Sequence, residues 1–286
     1  MMVKVIAEIG CNHKGEMSIA KELIKTAKLC GADVAKFQKR TPKELLTPEQ
    51  YNAPHPNPAN SYGPTYGAHR EFLEFNAEQH RELKDFCQEI GIEYSTSVWD
   101  MTSAKQIAPL NPALIKIPSA ENNNIPLLSW LCDNYGGEIH VSLGMTTRAE
   151  EESLIRLFES KGRAKDVVVY SCTSGYPVAF EDICLLEIPR IKAAYGNIVK
   201  SIGFSGHHLG IAVDIAAITL GAEWVERHFT LDRTWKGTDH AASLEPQGLA
   251  KLVRDIHNVE KALSEKSNEI LPVEQVQRNK LKYKAN

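Results

Sequence analysis

The stretch WVERHFT, residues 224–230, is the last of eight short β-rich runs that alternate along the chain with helical patterns. Val225 and Phe229 recur at period two, which predicts a short β-strand. Glu226 and His228 share the opposite face of that strand. A carboxylate and an imidazole buried together are costly unless each has a partner, so this strand raises the question of what the two groups do.

The eight runs together predict the fold. Helical patterns lie between most of them, over residues 17–30, 77–90, 125–134, 148–160, 184–195, 210–219 and 245–263. Eight strand–helix units in about 260 residues predict an α/β fold of the TIM (β/α)8 barrel type. A doubly wound open sheet is the main alternative, but no GxGxxG motif opens a helix after the first run. The other seven runs are VKVIAEIG (3–10), DVAKFQK (33–39), EYSTSVW (93–99), ALIKIPS (113–119), EIHVSLG (138–144), DVVVYSCT (166–173) and SIGFSGH (201–207).

Two segments fall outside this alternation. Residues 40–76 are rich in Pro, Asn and Tyr and form an insertion after the second strand, where a short loop is expected. Residues 264–286 are a polar C-terminal tail with no predicted strand or helix, so the catalytic barrel is predicted over residues 1–263. A loop that follows a barrel strand lies on the catalytic face, and the insertion is therefore predicted to be a lid or wall.

The insertion carries side chains suited to a sugar. We expect its tyrosines to stack on a sugar face, and His69 and Arg70 to bind hydroxyls or a charged group. The tyrosines are Tyr51, Tyr62 and Tyr66.

Composition excludes several functional classes. The net charge of the 286 residues is −3 and there is no long basic run, so neither nucleic acid nor an anionic membrane is an expected partner. No signal-peptide pattern begins the chain and no window approaches about 20 apolar residues, which predicts a cytoplasmic protein. The six cysteines form no CxxC pair, as is typical of reduced thiols.

Polar residues gather at the predicted C-terminal ends of the strands, which is the active-site end of a barrel. Lys36 and Lys116 lie inside otherwise apolar runs, and a buried lysine needs an anionic partner. With neighbouring hydroxyls they predict a phosphate or carboxylate site. Pairing of the lysines with internal Glu8 or Glu226 is the alternative. The strand-end residues are Glu8, Lys36, Ser97, Lys116, Ser119, Glu121, Ser142, Ser174, Ser205, His207 and His228.

Two histidines predict a metal site. His207 and His228 end the seventh and eighth strands, which are neighbours in a barrel, so their imidazoles can converge on one divalent ion. Two histidines without a third protein ligand suit Mn²⁺ acting as a Lewis acid better than structural zinc, with Mg²⁺ and Co²⁺ as alternatives. His208 is expected to point away from the site, and His13 and His240 lie in loops.

The ordered motifs of the chain resemble those of the N-acetylneuraminate (sialic acid) synthase family over residues 3–263. The resemblance implies a metal-dependent, C–C bond-forming transferase. Such an enzyme condenses phosphoenolpyruvate with the open-chain aldehyde of an N-acetylhexosamine and releases phosphate and a nonulosonic acid. The motifs are AEIGCNHKG (7–15), KFQ (36–38), IKIPSAENNN (115–124), SLGMTT (142–147), SCTSGYP (171–177), GFSGHH (203–208) and ERHFT (226–230).

The resemblance also assigns roles position by position. It implies that His207 and His228 hold the metal. A carboxylate near C2 would stabilise the charge that develops there and help the attacking water lose its proton, and Glu121 is the residue we predict for this role. Glu8 would lie nearer the aldehyde. Glu8, Lys36, Glu121 and His228 are therefore the predicted catalytic residues. The implied phosphoenolpyruvate donors are Lys36, Lys116, Ser119, Ser142, Ser174 and Ser205, and the residues facing the sugar and water are Glu8, Gln38, Glu121, Tyr176 and Asp239.

The chain departs from the family in a few places. Ser97 and Trp99 stand where other members have Thr and Phe, which keeps a donor for substrate and an aromatic wall; some members have Asn at Ser174. Members commonly carry a small antifreeze-like domain after the barrel that reaches into the site of a partner subunit, so a homodimer is one expectation. Either that domain lies outside this sequence or residues 40–76 supply its contacts.

Two other functions stay open from the sequence. One is a sister condensation that makes another 3-deoxy-ulosonic acid, although the sequence displays no extra basic cluster for a second phosphate. The other is a non-catalytic sugar- or phosphate-binding barrel, which would have no need of a Lewis acid.

Overall fold

The computed structural model describes residues 2–283, and its central feature is a closed barrel of eight parallel strands. Each strand pairs with the next in chain order, and the eighth pairs with the first. The TIM barrel prediction is confirmed, and every strand lies within one predicted run. The strands are β1 (Lys4–Gly10), β2 (Val34–Lys39), β3 (Glu93–Val98), β4 (Leu114–Ile117), β5 (Glu138–Ser142), β6 (Val167–Cys172), β7 (Ser201–Gly206) and β8 (Trp224–His228).

Helices surround the barrel. Each predicted helix is found within three residues of its expected bounds. No helix in the described part of the chain is both long enough and apolar enough to span a membrane. The helices are α1 (Met17–Leu29), α2 (Pro42–Leu45), α3 (Pro48–Asn52), α4 (Tyr66–Phe72), α5 (Ala77–Ile90), α6 (Met101–Ile107), α7 (Ile125–Asn134), α8 (Arg148–Ser160), α9 (Glu187–Tyr195), α10 (Ala212–Thr219), α11 (Pro246–Ala262) and α12 (Pro272–Leu281).

Two helices outside the insertion were not predicted. Helix α6 spans two turns and begins at Asp100, whose Oδ1 accepts a hydrogen bond of 2.7 Å from the backbone N–H of Ser103. Helix α12 lies in the tail, where the prediction of no helix was wrong. None of its residues is buried, so the sequence carries no apolar stripe to reveal it. The last three positions of the predicted tail, 284–286, lie outside the described residues.

The insertion has local structure of its own, since it contains α2, α3 and α4. At the start of α3, the Thr47 side chain accepts a hydrogen bond from the backbone N–H of Gln50, and the Gln50 side chain accepts one from the backbone N–H of Thr47. This reciprocal pair fixes the start of the helix. Thr65 caps α4 by accepting from the backbone N–H of Ala68 at 3.1 Å. Short capped helices give this long connection definite geometry.

The two faces of each strand differ in chemistry. Outward-facing side chains such as Ile117 and Val225 pack against the helices in hydrophobic clusters. Inside the barrel, a layer of apolar side chains closes the N-terminal half. Two positions further along four of these strands the inward residue is charged: Glu8 follows Ile6, Lys36 follows Val34, Lys116 follows Leu114 and Glu226 follows Trp224. Because side chains alternate at period two, these charged groups form a second layer above the apolar one.

Gly203 on β7 makes room for the largest inward ring. A Cβ built on Gly203 would lie 2.5 Å from Cε1 of Tyr170, the inward residue of β6. Real carbon atoms do not approach so closely, so only glycine lets the Tyr170 ring lie across the barrel. This ring separates the apolar layer from the charged one.

We predict that Gly203→Ala lowers the free energy of unfolding by about 1–3 kcal/mol, because the added methyl group overpacks a filled barrel. Urea denaturation followed by circular dichroism measures this loss. Gly136→Ala is the matched control, since an added Cβ there has nothing within 4 Å. Equal stabilities of the two variants would show that the Tyr170 ring can move aside without cost.

Candidate active site

A cavity of about 270 Å³ opens at the C-terminal ends of the barrel strands. It gathers all but two of the residues predicted for the site. The wall also includes Trp99, Met145, Cys172 and Glu226, to which the sequence assigned no catalytic or metal-binding role. The predicted residues that line it are Glu8, Lys36, Gln38, Ser97, Lys116, Ser119, Ser142, Ser174, Tyr176, Ser205, His207 and His228.

The two exceptions are Glu121 and Asp239. Glu121 lies in a short 3₁₀ turn, lines a neighbouring cavity with Arg40 and Arg70, and accepts a 2.9 Å hydrogen bond from the Asn124 side chain. Its placement therefore does not favour the predicted role beside the reacting atoms. Asp239 lines another adjoining cavity, with its Oδ2 3.9 Å from Nδ1 of His228.

Glu226 organises the floor of the cavity. The Lys116 ammonium donates to both of its oxygens at 2.9 Å, and Ser205 donates to Oε1 at 3.0 Å. Nζ of Lys36 lies 3.7 Å from Oε2 of Glu226 and forms a closer ion pair with Glu8. Both lysines thus have internal carboxylate partners, as the alternative interpretation expected, yet both also line the cavity.

The electrostatics of the floor favour an anion. Burial raises the pKa of Glu8 to about 7, so this carboxyl is partly protonated near neutrality. Burial would also raise the pKa of Glu226, but the attraction of Lys116 and Lys36 outweighs it and lowers that pKa below its ordinary value. Lys36 and Lys116 therefore meet two carboxylates, and both ammonium groups still line the cavity, where an anionic ligand can contact them.

Tyr170 supports Lys116 from below. The Lys116 ammonium lies 3.9 Å from the centre of the Tyr170 ring, a cation–π contact, and the Tyr170 hydroxyl lies 2.7 Å from Nδ1 of buried His140. Sequence reasoning missed this residue. The one available signal was Gly203, a glycine inside a strand, which often marks a place where another group approaches closely.

His207 and His228 are arranged as a pair. Their ring centres are 5.4 Å apart in the cavity wall. Nδ1 of His207 lies 2.9 Å from the carbonyl oxygen of Thr173, which can only accept, so Nδ1 carries a hydrogen and the lone pair of the neutral ring is on Nε2. Burial would lower the pKa of His207, but its contact with Cys172 outweighs burial and raises that pKa. Nδ1 of His228 is buried and has no hydrogen-bond partner among the described residues.

The pair fits an open metal site. Within residues 2–283 no group of three or more His, Cys, Asp or Glu side chains could hold a metal ion. Two imidazoles with available nitrogens suit a divalent ion whose remaining ligands are water or substrate oxygens. The metal and its identity stay predictions.

The other histidines weighed from the sequence do not line this cavity. His208 is buried on the outer side, where its Nε2 lies 3.0 Å from Nη1 of Arg227 and 3.3 Å from a carboxylate oxygen of Asp214. It therefore points away from His207, as expected. His13 and His240 also lie outside the cavity.

A second cavity of about 210 Å³ adjoins the first, and the two share Gln38, Trp99, Tyr176 and His228. The insertion contributes His55, Tyr66, His69 and Arg70 to its wall. Of the three tyrosines expected to face a sugar, Tyr66 lies here. Tyr51 packs against Gly67 instead, and the Tyr62 hydroxyl donates to the backbone oxygen of Lys236 at 2.5 Å.

The model of the NeuB family matches residues 23–268, which is most of the chain. The chain belongs to the NeuB family. This membership confirms the resemblance to N-acetylneuraminate synthases that the strand-end motifs indicated.

Three relatives place the chain within the NeuB family. It is 40% identical to the N-acetylneuraminate-9-phosphate synthase of Mus musculus, over 97% of this chain and 76% of that protein. It is 32% identical to the N,N'-diacetyllegionaminic acid synthase of Campylobacter jejuni, over 91% of this chain and 77% of that protein. The crystal structure of the N-acetylneuraminic acid synthetase of Leptospira borgpetersenii superposes with a TM-score of 0.83 at 29% identity, covering 99% of this chain and 94% of that one. These NeuB-type relatives are synthases of sialic-type acids.

We predict that Glu226→Gln lowers the free energy of unfolding by about 3 kcal/mol, because it leaves two buried ammonium groups without their shared counter-charge. Added inorganic phosphate should raise the melting temperature of this variant more than that of the wild type, since the anion replaces the lost charge. Differential scanning calorimetry with and without phosphate measures both effects.

Glu152→Gln is the control for this test. Glu152 pairs with Arg156 on the surface of α8, and an exposed pair contributes less than about 1 kcal/mol. Equal losses in the two variants would contradict a special role for Glu226.

Proposed function

We propose that this protein condenses phosphoenolpyruvate with the open-chain aldehyde of an N-acylhexosamine resembling N-acetylmannosamine, and releases phosphate and a nonulosonic acid. The observation that carries the proposal is one cavity with two buried lysines and a ring of hydroxyls at its floor and two imidazoles in its wall. The relatives named as N-acetylneuraminate-9-phosphate and diacetyllegionaminic acid synthases support the same reaction class.

The floor suits phosphoenolpyruvate, which carries a phosphate and a carboxylate. Lys36 and Lys116 supply charge, and Ser142 and Ser174 add hydroxyl donors. Gly144 leaves space beside the hydroxyl groups of Ser119 and Ser174. A Cβ on Gly144 would lie 2.6 Å from the Ser119 hydroxyl oxygen and closer still to that of Ser174. The backbone N–H of Gly144 donates to the Ser119 hydroxyl at 3.1 Å, which orients it.

The aldehyde lies with the imidazole pair. A divalent ion held by His207 and His228, most suitably Mn²⁺, would polarise the aldehyde oxygen as a Lewis acid. The Tyr176 ring, whose centre is 4.3 Å from that of His207, lines this side of the cavity. The Gln38 amide donates to Oε1 of Glu8 at 2.9 Å and so fixes the direction of that carboxyl.

The reaction forms one C–C bond and one C–O bond to water, breaks the C–O bond to phosphate, and adds a proton to the former aldehyde oxygen. C3 of phosphoenolpyruvate attacks the aldehyde carbon, water adds to C2, and the bond between C2 and the phosphate oxygen breaks. We assign proton transfer from the water to Glu8, since Glu8 lies beside Lys36 among the groups that bind phosphoenolpyruvate. Glu121, which lines the neighbouring cavity, is not assigned this step.

The test of the proposed function is product formation. Phosphoenolpyruvate, N-acetylmannosamine and Mn²⁺ should give inorganic phosphate and a nonulosonic acid in equal amounts, measured by a phosphate assay and mass spectrometry. Chelation of the metal should stop both. Binding of phosphoenolpyruvate without turnover of any N-acylhexosamine, free or phosphorylated, would instead favour a non-catalytic binding barrel.

We predict that Lys116→Met lowers kcat/KM for phosphoenolpyruvate by about 100-fold, because a hydrogen bond to a charged group contributes roughly 1.5–3 kcal/mol. Steady-state kinetics with phosphoenolpyruvate as the varied substrate measures the change. Lys200→Met is the matched control, since Lys200 is half exposed and pairs with Glu138 outside the cavity. An unchanged KM for phosphoenolpyruvate in Lys116→Met would remove this lysine from the binding site.

We predict that His207→Ala and His228→Ala each abolish tight Mn²⁺ binding, because each removes one of two imidazole ligands. Isothermal titration calorimetry with MnCl₂ reads binding directly, and circular dichroism checks the fold. His257→Ala on α11 should bind Mn²⁺ as the wild type does. Wild-type affinity in either cavity variant would show that the metal site lies elsewhere.

A further inference from the structure

The imidazole pair lies where the pairing between its two strands ends. The last paired residues of β7 and β8 are Gly206 and Arg227. His207 follows this last pair, so the strand pairing does not itself fix its position relative to His228. The distance between the two rings therefore depends on contacts made by residues 207–211, which lead from β7 to α10 and which we term the β7–α10 connection.

Arg227 is a buried charge that the proposed reaction does not use. It lies between Glu226 and His228 on β8, and because side chains alternate along a strand it points to the opposite face from these two. Its side chain is among the largest that are fully buried. A buried guanidinium is unfavourable unless its donors are satisfied, so its partners indicate its role.

The partners of Arg227 lie in the β7–α10 connection. Its Nη2 donates to the carbonyl oxygen of His208 at 2.6 Å, and its Nη1 donates to the carbonyl oxygen of Gly210 at 2.9 Å. The residue that precedes His228 is thus bonded to the residue that follows His207. This contact joins the two chain segments beyond the end of their strand pairing.

Asp214 holds the guanidinium in place. This carboxylate lies in the first turn of α10, is fully buried and pairs with Nη1 of Arg227. Nε2 of His208 lies 3.0 Å from the same Nη1 and 3.3 Å from Oδ2 of Asp214. The network therefore joins β8, the β7–α10 connection and the start of α10 in a buried layer behind the imidazole pair.

Two glycines let the chain take this path. A Cβ on Gly206 would lie 2.8 Å from Cε1 of His208, closer than real carbon atoms approach. Gly210 has a φ of +79°, a conformation that residues with a side chain rarely adopt. The path of the β7–α10 connection around Arg227 is therefore specified by the sequence on both sides of His208.

Other contacts of His207 come from the loop after β6. Its Nδ1 bonds to the carbonyl oxygen of Thr173 at 2.9 Å, and its own carbonyl oxygen accepts from the backbone N–H of Val178 at 3.1 Å. These bonds orient the imidazole against β6. Arg227 instead ties the same segment to β8, the strand that carries His228.

We propose that Arg227 is a positioning residue for the imidazole pair. Together with Asp214 it holds the β7–α10 connection so that His207 and His228 face one divalent ion. This inference rests on the proposed function, since it takes the metal site from it. Arg227 does not line the cavity and acts through the backbone. Loss of groups that orient metal ligands commonly lowers metal affinity about 10- to 100-fold.

The test measures metal affinity in two variants. Arg227→Lys keeps a charge beside Asp214 but loses the planar guanidinium that reaches two carbonyl oxygens at once. We expect it to raise the dissociation constant for Mn²⁺ about 10-fold, measured by isothermal titration calorimetry with MnCl₂. Asp214→Asn removes the anchor of the guanidinium and should have the same effect. The dissociation constant for phosphoenolpyruvate, titrated without metal, should stay at the wild-type value, because the lysine floor lies on the strands.

Arg163→Lys is the matched control. Arg163 also pairs with an aspartate, Asp166, through Nε at 2.8 Å, and donates to the carbonyl oxygens of Cys132 at 3.0 Å and Gly137 at 2.7 Å. Gly137 directly precedes β5, at the opposite end of the barrel from the imidazole pair. Arg163→Lys should lower the melting temperature, read by circular dichroism, and leave the affinity for Mn²⁺ unchanged.

The outcomes separate the positioning role from the proposed function. Weaker Mn²⁺ binding in Arg227→Lys and Asp214→Asn, but not in Arg163→Lys, supports the positioning role. It does so even where the wild type condenses no N-acylhexosamine, in which case the proposed function fails alone. Wild-type Mn²⁺ affinity in both test variants overturns the positioning role and leaves the proposed function in place. An equal loss of affinity in the control also overturns it, as does a wild type that binds no Mn²⁺.

Discussion

The ion network of Lys36, Lys116 and Glu226 is the constraint on which the catalytic end depends. Burying two ammonium groups inside a barrel is unfavourable unless a carboxylate balances them, and Glu226 lies within 4 Å of both. Closure of the barrel makes this possible, because β8 must come round to β1 and β2 for Glu226 to reach Lys36. The fold and the site are therefore specified by the same pairing of the last strand with the first.

The ion network also depends on the inward side chains, which change from apolar to charged along four of the strands. The inward positions are apolar in the N-terminal half and charged two residues later, so a dry layer beneath the ions lowers the local dielectric and strengthens their interactions. Tyr170 belongs to both layers. Its ring packs with the apolar side chains of the lower layer, and one face of the ring contacts the Lys116 ammonium. The stability of the barrel and the affinity of its floor for anions thus share one set of contacts.

The sequence predicted what depends on periodicity and failed where tertiary contacts decide. The eight strands and the strand-end residues follow from period-two patterns, so Lys36, Lys116 and His228 could be placed in advance. The position of Glu121 could not be predicted in this way, because it lies in a 3₁₀ turn after β4, where side chains do not alternate at period two, and it lines the neighbouring cavity. Tyr170 escaped notice because an inward tyrosine in a strand resembles any core residue. Arg40 and Arg70 could not be grouped in advance, because they line one cavity only after the insertion folds back on the barrel.

The insertion contacts the loop that follows β8, and the same loop approaches the imidazole pair of His207 and His228. The Tyr62 hydroxyl bonds to the backbone oxygen of Lys236, and the Lys236 ammonium lies 4.8 Å from the Tyr62 ring centre. Lys236 belongs to the loop that follows β8 and carries Asp239, whose carboxylate lies 3.9 Å from Nδ1 of His228. The second cavity, of about 210 Å³, therefore has walls from two loops that contact each other, while the lysine floor of the first cavity comes from strands. Substitutions in the loops can change the shape and charge around the acceptor sugar without changing the ion network. Sugar recognition can therefore differ between related proteins that keep the same phosphoenolpyruvate site.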